Sequence, residues 1–216
     1  MEDNRTLRKW LLRLLIVHII GLTYSVLTHT VNFGIFNEWL KLAISTGFLF
    51  CLSRMVKYRG FYRLPVAFLA MKVICTLARL VLSSNAVQPL VRDLLDENYI
   101  EVLTAVSGWV VWILWICDIG AMLFEWIAHG KVVKPADQQL SKYWQWLTVA
   151  ALVVSAGMFL LNVFVPDMLR LGTLDVALYQ KMFPLLNLPG VLIRILYMVC
   201  LYKSGQVLVQ AKDPTG

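Results

Sequence analysis

Six runs of apolar residues divide the chain, near Trp10–Thr30, Trp39–Met55, Phe61–Leu82, Val102–Ile127, Tyr143–Val165 and Leu185–Tyr202. Most approach or exceed the roughly 20 residues that an α-helix needs to cross hydrocarbon. The runs are continuously apolar, whereas the strands of a membrane β-barrel alternate lipid-facing and lumen-facing residues over about ten positions. The pattern therefore predicts helices. The second run is short, and Pro184 and Pro189 break the sixth near its start. The reading is an all-α polytopic membrane bundle of about six spans, one integral membrane domain over residues 1–216, with no internal repeat and no separate soluble domain. Gly108 and Gly157 are expected where helices pack closely, because small residues let backbones approach.

Polar residues between the runs set an orientation. Arg5, Arg8, Lys9 and Arg13 precede the first run, and Arg54, Lys57, Arg59 and Arg63 surround the link from second to third. Lys131, Lys134 and Lys142 lie between fourth and fifth, and Lys203 and Lys212 follow the sixth. That places thirteen basic residues on one side, against Lys41, Arg92, Arg170 and Lys181 on the other. Short loops rich in Lys and Arg stay in the cytoplasm, so both termini are expected there. Trp10, Trp126, Trp144 and Trp146 are expected at the inner membrane interface, and Trp39 and Trp109 at the outer one. Two outer connections read as amphipathic helices. In Pro89–Val102, Leu90, Leu94 and Leu95 recur at helical spacing opposite Arg92, Asp93, Asp96 and Glu97; Asp167–Met182 is a weaker version. Such segments lie in the interface or form lids.

Composition agrees with a lipid setting. The chain is 59% apolar and 15% charged, with a mean hydropathy of +0.70, against roughly 45–50% apolar in soluble domains. The net charge of +7 is spread over short loops and forms no basic stripe interleaved with exposed aromatics, which argues against nucleic acid. The basic N-terminus ahead of an apolar run mimics a signal peptide, but no A-x-A site follows it, so it reads as an uncleaved first span. Compactness and short loops favour a bacterial inner membrane. Cys51, Cys75, Cys117 and Cys200 all fall inside runs without a C-x-x-C pair; they read as core residues rather than a disulfide or zinc framework.

Candidate chemistry lies in ionisable residues within the spans, since such groups normally face protein or water. Lys72 and Arg79 are seven apart in the third run and share a helical face; Asp118 and Glu125 do the same in the fourth. At about 1.5 Å of rise per residue, Lys72 and Asp118 alone are level enough to pair. Glu125 falls near the inner interface, within reach of loop cations, and Arg79 extends outward toward Glu101 or lipid phosphate. Arg194 and His18 lie close to the midplane. The expected polar layer is thus Lys72, Arg79, Asp118, Arg194 and His18. It has two readings: a structural clasp, or a site between spans three, four and six for an anionic solute or lipid headgroup, with the Arg194 guanidinium as a planar fork for carboxylate or phosphate. His18 and His29 are eleven apart, too far along one helix to share a metal or haem iron, and His129 is placed in an inner loop. No metal and no cofactor is expected.

Signatures of catalysis are missing: there is no G-x-S-x-G elbow and no H-E-x-x-H helix. The plan of six spans, both ends inside and amphipathic outer loops resembles the substrate-capturing subunits of energy-coupling-factor vitamin transporters, although their A-x-x-x-A pattern is missing from the first span. Three functions follow as expectations. The first is a non-enzymatic accessory, assembly or immunity-like protein working through a membrane-protein partner or homo-oligomer. The second is a transporter or binding subunit for an anionic ligand, using Lys72, Asp118 and Arg194. The third is an intramembrane enzyme acting on lipid, which would need His18 near a cysteine or Asp118. A closed bundle with Lys72 and Asp118 in direct contact would favour the first, and an outward-open, water-accessible cavity reaching Arg194 would favour the second.

Overall fold

The computed structural model describes residues 2–28, 36–82, 84, 89, 92–93, 99–172 and 175–210. The expected outer helix over Pro89–Val102 lies largely outside them, as does His29. The described chain is helical: α1 Glu2–Leu27, α2 Phe36–Val56, a 3-10 turn Gly60–Tyr62 leading into α3 Arg63–Leu82, α4 Tyr99–Val133, α5 Gln138–Arg170 and α6 Val176–Gln210. Each holds a stretch long and apolar enough to cross a membrane: Asp3–Leu27, Phe36–Val56, Gly60–Val81, Gly108–Val133, Gln138–Leu161 and Leu188–Gln210. The described residues are all-helical apart from turns, and the six stretches mark an integral membrane protein.

Local chemistry sets the helix ends. Pro65 stands in the first turn of α3, where its missing N–H breaks no helical bond. The Asp137 carboxylate accepts from the Leu140 N–H at 2.9 Å and opens α5. The Asp175 carboxylate accepts from the Ala177 N–H at 2.6 Å and opens α6; both satisfy donors that a helix start leaves orphaned. Beyond α5, Gly172 has φ 69°, a left-handed conformation that glycine adopts at no steric cost.

Three expectations change here. Asp167–Met182 is no separate amphipathic helix: among the described residues it is the end of α5, a turn at Leu171–Gly172 and the start of α6. Pro184 and Pro189 do not break the sixth span, since α6 runs through both positions, a tolerance common in membrane helices. His129 lies within α4 and is buried, not in a loop. Apolar runs end at the first polar side chain, but a helix ends where its backbone is turned, here at Pro135 and the Asp137 cap.

Two compact units divide the chain, Met1–Leu15 with Trp126–Gly216, and Ile16–Glu125. The first unit has an aromatic core. Trp126 lies on Tyr197 with ring centroids 5.0 Å apart, His129 meets Trp144 at 4.9 Å, and Trp144 meets Tyr197 edge-on at 5.4 Å. The Trp144 indole donates to Ser204 Oγ at 3.0 Å, which itself donates to the Cys200 carbonyl at 2.8 Å, so the buried N–H has a partner. Trp126 and Trp144 are therefore core residues, not interface anchors; an anchor keeps its ring at the headgroups, and these rings are enclosed by protein. Trp39, Trp109 and Trp146 are exposed. On α5, Trp146, Val149, Val153, Leu160 and Phe164 form an exposed apolar stripe, the face that lipid would cover.

In the second unit the contacts give the helix directions. Val17 packs on Gly47, and Gly21 on Ile44 and Phe48, while the Tyr24 hydroxyl reaches Asn37 near the start of α2. Rising numbers on α1 meet falling numbers on α2, so the pair is antiparallel. In the same way Phe68 stacks on Phe124 at 5.4 Å and Lys72 meets Asp118, making α3 and α4 antiparallel. Gly120 sits under the Phe68 ring: a Cβ there would lie 2.6 Å from ring carbon Cε1. Gly108 and Gly157 differ from expectation, because among the described residues nothing lies within 4 Å of a Cβ added at either.

Gly120→Ala should therefore destabilise the protein by about 1–3 kcal/mol through overpacking, more than the ~1 kcal/mol gained in helix propensity. Gly157→Ala should be neutral or slightly stabilising. Unfolding of both variants in one detergent checks this; equal stability would remove Phe68 as the reason for Gly120.

Candidate functional site

Among the described residues of the second unit, ionisable side chains meet in three groups, each joining different helices. Midway along α3 and α4, Lys72 Nζ donates to Asp118 Oδ1. The pair is asymmetric: the Lys72 side chain is 24% exposed and that of Asp118 is 53% exposed. Lys72 lies within about two residues of the middle of the Gly60–Val81 stretch and Asp118 within about three of the middle of Gly108–Val133, offsets of roughly 2–4 Å at the helical rise. The Thr76 hydroxyl donates to the Lys72 carbonyl at 2.8 Å, meeting its own hydrogen-bond demand inside α3.

Seven residues along α4, Glu125 is enclosed, with a side chain 7% exposed, and its Oε1 lies 3.5 Å from His18 Nε2 on α1. The His18 ring packs on Phe48 of α2 with centroids 4.3 Å apart. Tyr62, in the 3-10 turn ahead of α3, is completely buried. Seven residues along α3 in the other direction, Arg79 donates to Glu38 Oε2 at 2.8 Å, while Lys41 donates to Glu38 Oε1 at 2.8 Å.

The three groups stand in a row because seven residues make two helical turns and bring a side chain back to the same face about 10.5 Å further on. Glu125 and Asp118 supply α4's side of the row, and Lys72 and Arg79 supply α3's. Between antiparallel helices the order runs His18–Glu125, Lys72–Asp118, Arg79–Glu38.

Of the expected polar layer, Lys72 and Asp118 are in contact as depth counting indicates. Arg79 belongs to the same row, but its partner is Glu38, which lies just ahead of the second apolar run and which the structure places in the first turn of α2. Glu125, expected near the inner interface within reach of loop cations, faces His18. Arg194 belongs to the other unit, on α6, and its side chain is exposed. Sequence reasoning missed Glu125 and Glu38 as members. The signal for Glu125 was present in its spacing from Asp118; for Glu38 it was not, since no helical pattern marked the start of α2.

Among the described residues no three His, Cys, Asp or Glu side chains converge as metal ligands do. All four cysteines are free. Comparison with family models, curated proteins and solved structures found no match.

Removing one member of a buried ion pair costs about 3–5 kcal/mol, whereas exposed pairs contribute under ~1 kcal/mol. His18 and Glu125 form such a pair when the imidazole is protonated, and in that state His18→Leu is expected to lower stability by roughly 3 kcal/mol, with His18→Leu plus Glu125→Leu recovering most of it. Lys41→Ala, at the exposed Glu38 pair, is expected to change it by less than about 1 kcal/mol. Chemical unfolding in a common detergent measures all three; a small loss for His18→Leu would show that Glu125 does not depend on the imidazole.

Proposed function

We propose that this chain is a non-enzymatic membrane protein that acts through contact with another membrane-embedded chain, in an accessory, assembly or immunity-like role. The direct contact of Lys72 with Asp118 carries the reading. A site for an anionic solute needs a cation whose charge is not already balanced, and here the midplane ammonium is balanced by a carboxylate of its own chain. Arg79 and Glu38 repeat the arrangement. Ion pairs closed within the protein support helix register, which is the best-attested use of enclosed charge.

The setting belongs to the proposal as well. The excess of Lys and Arg in alternate connections supports a chain with both termini in the cytoplasm, in a bacterial inner membrane. The transport reading retains Arg194, an exposed guanidinium well inside a span-length helix. A lipid-acting enzyme has least support, because its premise was His18 beside a thiol or Asp118 and the imidazole instead faces Glu125.

The test is mass spectrometry of everything that co-purifies with the tagged chain in mild detergent. A membrane protein recovered in fixed stoichiometry is expected, with no small anion that depends on Arg194. A stoichiometric organic or phosphate anion, present with the wild type and absent after Arg194→Ala, would replace the contact reading with transport or solute binding.

A further inference from the structure

Asp118 is the one intramembrane carboxylate of the row that protein does not enclose: its side chain is more than half exposed although it stands near the middle of a span. A charged group at that depth costs about 2.5–3.5 kcal/mol when left to lipid. Its pairing leaves capacity on both sides, because a carboxylate offers about four acceptor sites and an ammonium three donors. Around it on α4 lie Val111, Trp115 and Met122, spaced four, three and four residues apart and so on one stripe. Val111 is exposed and the other two are half-buried.

We propose that a second copy of this chain covers Asp118, with Lys72 of each copy donating to Asp118 of the other. Charge complementarity selects this occupant. Lys72 and Asp118 stand side by side at nearly one depth, so a two-fold axis normal to the bilayer sets plus against minus twice and closes a ring of four alternating charges. A two-fold interface uses the same patch on both copies, and a plus–minus pair is a patch that complements itself. The ring fills the vacant donors of both lysines and shields both carboxylates from lipid. It also fits apolar surroundings, since the four charges sum to zero.

The closing experiment keeps the pair within each chain intact and changes only what the partner sees. The reversed variant, Lys72→Asp with Asp118→Lys, preserves the internal ion pair. In a two-fold dimer with wild type it sets aspartate against aspartate and lysine against lysine, a juxtaposition that disfavours wrong partners. Wild-type and reversed chains, each in two differently tagged forms, are co-expressed and extracted in polymer-bounded native membrane discs, and tag-to-tag capture is counted. Capture of wild type by wild type and of reversed by reversed is expected, with mixed capture at least about tenfold below its statistical share. Mixed capture at full share would overturn the four-charge ring. So would wild-type chains that never capture one another, whether each is found alone, with water at Asp118, or bound to a different protein. The last result would leave the proposed function standing, whereas an Arg194-dependent anion would remove that function without touching self-capture.

Discussion

Hydrocarbon offers no hydrogen-bond partner, and that one fact governs every polar atom in this protein. Backbone groups must be satisfied within their own segment, which is why each long apolar run becomes a helix. The same demand reaches the side chains. Thr76 and Thr148 donate to carbonyls four residues back, as Ser204 does to the Cys200 carbonyl, so their hydroxyls need nothing outside their helices. The Trp144 indole finds Ser204. For Lys72, Arg79 and Glu125, the group that answers the side chain comes from a neighbouring helix.

The two units answer this demand in different chemical terms. In the unit built mainly from α5 and α6, four rings, Trp126, His129, Trp144 and Tyr197, fill the interior. Large rigid rings lose little rotamer freedom for the area they cover. In the unit from Ile16 to Glu125, helices are matched by charge. There the apolar contacts are small and specific, Val17 on Gly47 and Phe68 on Gly120. Lipid tails are as apolar as leucine, so burying more aliphatic surface would do little to choose one helix arrangement over another. Charge and close backbone approach discriminate where greasiness does not.

Much of this was legible in the sequence, for reasons that differ by residue. Six helices follow from six apolar runs because hydropathy measures the same transfer free energy that drives insertion. Lys72 with Asp118 was legible because helical rise converts sequence position into depth, and depth restricts pairing to level groups. Arithmetic of that kind fails when a helix end is misplaced. Glu125 reads as interfacial when the fourth run ends near Ile127, whereas α4 continues to Val133. Glu38 falls outside a second run that begins at Trp39, whereas α2 begins at Phe36. Trp126 and Trp144 were misread for another reason: a tryptophan at an interface and one in an aromatic core have the same depth and differ only in which way the ring faces. That depends on which helix lies beside it, and one sequence does not say.

Spacing within the row of ion pairs bears on what such a row can do. Successive groups stand about two turns, or ~10.5 Å, apart along the helices, several times the ~3 Å reach of a hydrogen bond. Side chains at that interval do not hand a proton from one pair to the next, so the row is not in itself a conducting path. The interval does suit another purpose. A slip of one turn between α3 and α4 would move them by about 5.4 Å, carrying Lys72 away from Asp118 and Phe68 off Gly120 in one step. Because α3's cations and α4's carboxylates are both spaced by two turns, a one-turn slip in either direction sets no cation against a carboxylate. A two-turn slip in one direction would set Lys72 against Glu125 and Arg79 against Asp118, and what opposes it is His18 on α1 and Glu38 on α2, which meet Glu125 and Arg79. The row therefore excludes the adjacent one-turn registers by itself and the two-turn register through its partners on α1 and α2.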